Sequence, residues 1–192
     1  MGKKSKKIDY VLDADKPHLG GNFAQLNPAT HCPESWKYVI DKYNIQSVMD
    51  VGSGQGHAPQ WFAEQGLKVW AIEGLKENVD NAIFPTELVD LTERAYTQSV
   101  DMVNCVEVVE HIEERFLDNL LTTICCGRYL FMTHAVPGQK GHHHVNCQPT
   151  VYWEHHLGLR GFRPSHDDTA MIQQLAVNSK HIRETGMLFI RD

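Results

Sequence analysis

Three glycines stand at alternate positions behind an aspartate in the stretch VMDVGSGQGHAPQWF: Asp50, Gly52, Gly54 and Gly56. Glycine permits positive φ and close approach of the backbone to a ligand. A tight strand-to-helix turn needs one such residue, so three of them predict a loop that wraps a bound molecule. A dinucleotide wants G-x-G-x-x-G/A. With Gly52 and Gly54 as the first two members, the third falls on His57. A second constellation follows in NCVEVVEHIEERF. Glu107, Glu110 and His111 are spaced i, i+3, i+4, which sets them on one face of any helix that already includes Glu107. The plain alternative is a solvated face whose acids complement the helix dipole. More imidazoles follow in THAVPGQKGHHHVNCQP: His134, His142, His143 and His144. Adjacent residues cannot all aim at one point, so one of the run, His142 or His144, is the candidate ligand or base. Mixed imidazole and carboxylate groups suit magnesium, manganese, iron or zinc.

Strands and helices must position these groups. IQSVMDVG (Ile45–Gly52) is a short apolar run ended by glycine and predicts a buried strand. A helix follows from His57 to Gln65, with Pro59 in its first turn and Gly66 as its stop. LKVWAIEG predicts a second strand, KENVDNAI a short helix and TELVDL a third strand. VDMVNCVEVV (Val100–Val109) begins as a fourth strand. HIEERFLDNLLTTI reads as one amphipathic helix with Val109, Ile112, Phe116 and Leu120 on its apolar side. GRYLFMTHA is a fifth strand, TVYWEHHLGLRGF a helix ending at Gly161, and MLFIRD a last strand. Ser35–Tyr43 reads as a leading helix. Tyr10–Pro33, rich in Gly, Asn and Pro, reads as a loop over the carboxyl edge of the sheet. The alternation predicts an α/β fold, doubly wound, with a mostly parallel seven-stranded sheet and helices on both faces. One domain over residues 9–192 follows a solvated basic tail at residues 1–8. In such a sheet ligands bind beyond the carboxyl ends of the strands, where strand order switches.

The pattern D-x-G-x-G-x-G from Asp50 to Gly56 resembles the first motif of the class I S-adenosylmethionine-dependent methyltransferases. The resemblance spans roughly Ser35 to Asp192 and implies a Rossmann-like fold and that cofactor. It implies that the loop of Gly52, Ser53, Gly54 and Gly56 approaches the methionine part, with Asp50 orienting the loop and serving the amino group. Glu73, followed by Gly74 at the end of the second strand, would take both ribose hydroxyls; carboxylate oxygens suit a vicinal diol. Asp90, followed by Leu91, would meet the adenine amino group, and Val106 would flank the cofactor. The E-x-x-E-H spacing of Glu107, Glu110 and His111 resembles ubiquinone-pathway O-methyltransferases and small-RNA 3′-terminal 2′-O-methyltransferases, which hold a divalent metal with it. The resemblance thus implies a metal at Glu107, Glu110 and His111, completed by His142 and His144. Catalysis would fall to Glu107, Glu110, His111, His134 and His144. The histidine loop is similar to PPGQGGHHHVN-like stretches of phage and bacterial methyltransferases, with Ala135 and Val136 as a departure.

Composition narrows the partners. The chain has 192 residues, 42% hydrophobic and 22% charged, with a formal net charge of −6. Lys3, Lys4, Lys6 and Lys7 lie in the tail, so the remainder is more acidic still. That sign disfavours extended nucleic-acid binding. No Pro-Cys dipeptide and no N/D-P-P-Y motif mark a base methylase. No apolar run approaches the roughly 20 residues of a membrane span, and MGKKSKKIDY lacks the apolar core of a secretory signal. The five cysteines, Cys32, Cys105, Cys125, Cys126 and Cys147, form no C-x-x-C. A reducing, cytoplasmic setting is expected. Trp61, Trp70 and Trp153 read as core, Cys105 as inert packing, and His155 and His156 as surface. Three functions remain open: methylation of a small molecule or sugar, most simply at oxygen; 2′-O-methylation of a terminal RNA nucleotide; and a non-catalytic cofactor-binding protein.

Overall fold

The computed structural model describes residues 10–12, 15–23 and 26–191; the basic tail expected over residues 1–8 lies outside them. A short hairpin of β1 (Tyr10–Leu12) and β2 (Gly20–Phe23) precedes the main body, where a loop was expected. The body is a seven-stranded sheet of order β5-β4-β3-β6-β7-β9-β8. Its strands are β3 (Ser47–Val51), β4 (Lys68–Glu73), β5 (Glu87–Leu88), β6 (Val100–Cys105), β7 (Gly127–Met132), β8 (Phe162–Pro164) and β9 (Met187–Arg191). The neighbours from β5 to β7 are parallel, and β9 runs antiparallel to both β7 and β8. The doubly wound, mostly parallel architecture is therefore as the sequence predicts.

Period-two alternation sends the strand residues into two cores. Met49, Val51, Val103 and Cys105 pack on one face with Leu120, Trp153 and Leu157. These come from α4 (Leu117–Ile124) and α5 (Thr150–Gly158). Val48, Met102 and Leu188 pack on the other with Trp36, Phe62, Ile172 and Ile182. Their helices are α1 (Pro33–Tyr43), α2 (His57–Glu64), α6 (His166–Leu175) and α7 (Lys180–Thr185). A short α3 (Lys76–Asp80) follows β4. Trp153 is fully buried, whereas Trp61 and Trp70 are only half-buried. Among the described residues no helix is long and apolar enough to cross a membrane.

Three expectations need correction. The fourth strand begins at Val100 as expected and stops at Cys105. Instead of one long helix from His111, two 3-10 turns, Val109–His111 and Glu114–Phe116, precede α4. Val106, Val108, Val109 and Ile112 crowd this stretch with β-branched side chains, which disfavour helix. Ile112 and Glu113 adopt extended ψ values of 116° and 144° between the turns. TELVDL yields only a two-residue β5. The helix at Thr150 stops at Gly158, and Gly161 turns the chain with φ 82° into β8. The strand β8 and the helices α6 and α7 were not anticipated; β8 is three residues ending in proline and has no alternation to read.

One buried acid fastens α6 to α1. The Asp168 carboxylate accepts from Tyr38 Oη (2.6 Å) and Ser165 Oγ (2.5 Å), and also from Lys42 Nζ and Tyr43 Oη. Burial would raise this carboxyl; Lys42, Ser165 and the two phenols reverse that and hold it well below the usual range. Asp168→Ala should therefore destabilise the fold by about 3 kcal/mol, the scale of breaking a buried charged network. Urea unfolding measures it, and a loss under about 0.5 kcal/mol, typical of surface changes, would show that the network is idle.

Candidate functional site

The switch in strand order falls between β3 and β6, and a cavity of about 390 Å³ opens there at the carboxyl ends of the strands. Its floor is the glycine loop. Gly52, Gly54 and Gly56 all have positive φ, at 70°, 56° and 86°. A side chain at Gly52 would place its Cβ 2.4 Å from Val108 Cγ2. The loop is tied to β4: Gly52 N and Ser53 N donate to the Ile72 carbonyl at 2.9 and 3.1 Å. Gly54 N donates to Glu73 Oε2 and Leu75 N to Glu73 Oε1, both at 2.8 Å. Glu73 is buried, and burial raises its carboxyl despite these bonds. Ser53 Oγ is buried without a hydrogen-bond partner.

Asp50 sits beneath the loop, 3% exposed. Asn104 Nδ2 donates to its Oδ1 at 2.6 Å, and Trp36 Nε1 donates to Asn104 Oδ1 at 3.0 Å. Burial, with Glu73 nearby, pushes Asp50 up to about 7. Trp36 and Asn104 both line the cavity, and neither was singled out from the sequence. An asparagine inside the apolar run of β6 was the available signal. Gly74, Leu91 and Val106 also line the cavity.

Asp90 has a different arrangement from the expected adenine contact. Its carboxylate takes Lys16 Nζ (3.0 Å), His18 Nε2 (3.0 Å), Thr92 N (2.9 Å) and Thr92 Oγ1 (2.7 Å). Burial alone would raise it; Thr92, Lys16 and His18 outweigh that and bring it to about 2. Asp90 thus anchors the Lys16–Leu19 turn over the cavity, with His18 and Leu19 on its wall. This turn lies over the sheet edge, as the sequence predicts for the segment.

The acidic and histidine cluster divides in two. Glu110, His111 and His144 offer ligand atoms that all lie within 4.8 Å of one another. Val145 N and Asn146 N both donate to the Glu110 carbonyl at 3.0 Å, which clamps the histidine loop against the turn. The rings of His111 and His144 meet edge to face at 5.1 Å. Glu110 is fully buried rather than on a solvated helical face. Its carboxylate oxygens and His111 Nδ1 are buried without hydrogen-bond partners. Burial, then the charge of Glu107, drives Glu110 well above the ordinary carboxyl range. Burial, then His144 and His142, lowers His111 to about 4. Buried polar atoms seldom stay unpaired, and this donor set of one carboxylate and two imidazoles fits a divalent metal.

The other expected ligands turn to partners of their own, although Glu107 stays close enough for its charge to act on Glu110. Glu107 has φ 57°, which turns it off the line of the following residues. Its Oε1 accepts from Thr133 Oγ1 at 2.9 Å, and its Oε2 lies 3.0 Å from His181 Nδ1. His142 Nε2 is 2.7 Å from the Pro17 carbonyl. His134 is buried, with Nε2 3.2 Å from Thr150 Oγ1, and is not part of the cavity wall. Strand alternation explains this last correction: His134 keeps the parity of Leu130 and Met132, which face α5. His181 reaches the cavity from α7, a helix not anticipated from the sequence, and so was missed.

Comparison with known proteins finds methyltransferases. Residues 49–124 match the profile of a family described as "Methyltransferase domain". An enzyme named ubiquinone biosynthesis O-methyltransferase from Rickettsia typhi is 30% identical over 142 residues, 65% of this chain and 57% of the relative. Its namesake from Rickettsia bellii is 33% identical over 110 residues, 48% of this chain and 46% of the relative. The chain spans about half the length of these curated relatives. Among solved structures, magnesium protoporphyrin IX methyltransferase from Synechocystis PCC 6803 aligns with TM-score 0.58 at 15% identity, covering 81% of this chain and 80% of that one. The methyltransferase domain of bacterial CtHen1-C aligns with TM-score 0.57 at 13% identity, covering 80% and 93%. At such identities the shared property is the fold. The profile match runs through the glycine loop and the Glu107–His111 turn and the sheet has the shared fold, which together support a class I S-adenosylmethionine-dependent methyltransferase domain.

Proposed function

We propose that the chain transfers a methyl group from S-adenosylmethionine to an oxygen of a small acceptor, with a divalent metal held by Glu110, His111 and His144. The observation that carries this reading is the continuity of one cavity: the glycine loop and Glu73 line one part, and Glu107, His111, His144 and His181 line another. The O-methyltransferase relatives support oxygen as the acceptor atom.

Each part has a physical role. The Glu73 oxygens each take one backbone N–H and retain lone pairs for the ribose hydroxyls. Asp50, costly as a buried anion, gains from the ammonium of the cofactor's methionine part. The sulfonium is already an activated leaving group, so the protein's work is to align the acceptor and remove its proton. A bound divalent ion would lower the pKa of an acceptor hydroxyl. Thr133 orients Glu107, and Glu107 holds the Nδ1–H of His181, leaving Nε2 as the nitrogen that can take a proton.

Isotopically labelled S-adenosylmethionine, incubated with metabolite extracts and separately with short RNAs, tests the reading. Label should enter a small hydroxylated compound. Label entering only RNA termini would replace the acceptor class, and failure to bind S-adenosylhomocysteine would remove the reading altogether.

A further inference from the structure

Asn78 lies in the middle of α3, facing the end of β4. It is 1% exposed, and it lines the cavity beside Glu73 and Gly74. Its backbone N–H closes the first turn on the Leu75 carbonyl at 3.0 Å. Its side chain lies beside the Glu73 carboxylate and helps to offset the burial that raises that group. A carboxylate accepts and does not donate, so the amide nitrogen of Asn78 must face Glu73. The opposite flip would set two acceptors against each other. The other end of the amide, Oδ1, is therefore fixed toward a place where no donor meets it: it is buried and has no hydrogen-bond partner.

Both carboxylates expected to read the nucleoside already carry donors from the protein. Glu73 already takes two backbone N–H groups, and Asp90 is occupied by Lys16, His18 and Thr92. A buried acceptor in a cavity is satisfied by a ligand that brings a donor. The place beside Glu73 is where a vicinal diol would lie. We propose that Asn78 is a cofactor-binding residue, its side-chain carbonyl accepting a hydrogen bond from one ribose hydroxyl while Glu73 takes the other. This rests on reading the cavity as an S-adenosylmethionine site. It assigns the ribose two readers of different charge: an anion that burial makes costly and a neutral amide that steadies that anion.

Calorimetric titration of the full chain tests the proposal with four ligands: S-adenosylhomocysteine, its 2′-deoxy and 3′-deoxy analogues, and S-inosylhomocysteine. Wild-type protein that ignores S-adenosylhomocysteine would sink the cofactor reading before Asn78 is considered. Given that binding, Asn78→Ala should weaken S-adenosylhomocysteine about tenfold, the scale of one hydrogen bond. One deoxy analogue, lacking the contacted hydroxyl, should bind wild type and variant alike. Asn78→Ser serves the same cycle should the alanine variant not fold. An equal loss with all four ligands would assign Asn78 a structural role, and no loss would leave it idle. A loss cancelled only with S-inosylhomocysteine would move the contact to the adenine amino group. Each of these three results overturns the proposal.

Discussion

Glu110→Gln should abolish divalent-metal binding and methyl transfer while leaving S-adenosylhomocysteine affinity nearly unchanged. On the proposed reading the cofactor is held by the glycine loop and Glu73, away from the Glu110 carboxyl. The sign of the pH effect follows from burial. A carboxyl raised in the folded state contributes stability at pH below its unfolded value, and that contribution is lost as pH rises through the folded value. Glu110 in the ligand-free protein is such a group. A cation must displace its proton, so metal affinity should rise with pH and each binding event should release a proton. His111, lowered to about 4, stays neutral and ready to ligate through the neutral range. Titration calorimetry in two buffers of different ionisation enthalpy reads the released proton directly. Full transfer in a metal-stripped sample would remove the metal role and leave the Glu107–His181 pair as the base.

Asp50→Asn should raise the melting temperature of the ligand-free protein at pH 8 by about 5 °C and weaken S-adenosylhomocysteine about tenfold or more. Burial lifts Asp50 from its ordinary 3.8 to about 7. A raised carboxyl stabilises fully below 3.8 and progressively less as pH climbs to 7, so the wild-type protein carries the full burden of a buried anion at pH 8. The shift sets an upper limit of about 4 kcal/mol. The amide carries no charge at either pH and keeps its bond to Asn104 by turning its oxygen toward Nδ2. At pH 4 the two proteins should melt together. Scanning calorimetry at both pH values, with and without S-adenosylhomocysteine, gives all four numbers. Equal melting at pH 8, or undiminished affinity, would show that Asp50 is not a charge held in reserve for the cofactor.

Much of this was legible from local sequence because its physics is local. Three positive-φ turns require three glycines, and a short apolar run ending at Glu73 is a strand ending at an acid. Asn104 was not legible in the same way. It meets Asp50 because parallel pairing of β3 and β6 puts the two opposite each other in register, a fact about two strands at once. Trp36 and His181 come from helices outside the β3–β6 unit. Asn78 looked like an ordinary polar residue of a short helix, and only its burial against Glu73 gives it meaning. The largest misreading, a single helical face for Glu107, Glu110 and His111, came from applying helical spacing where β-branched residues favour extended backbone. The structure keeps Glu110 and His111 together through a 3-10 turn and gives Glu107 a second partner in His181.

The sheet is closed by the part of the chain that a ribosome would deliver last among the described residues. β9 lies between β7 and β8, and β8 has no other neighbour in the sheet. Until Met187–Arg191 is docked, β7 presents an open edge of buried-type residues, Tyr129 through Met132, and β8 has nothing to pair with. Open apolar edges invite pairing with other chains. A nascent or truncated chain that ends before Met187 should therefore be a client for chaperones and prone to precipitate, even with the glycine loop and Glu73 already synthesised. Commitment to the native sheet then comes as a single late event, the insertion of five residues between two waiting edges.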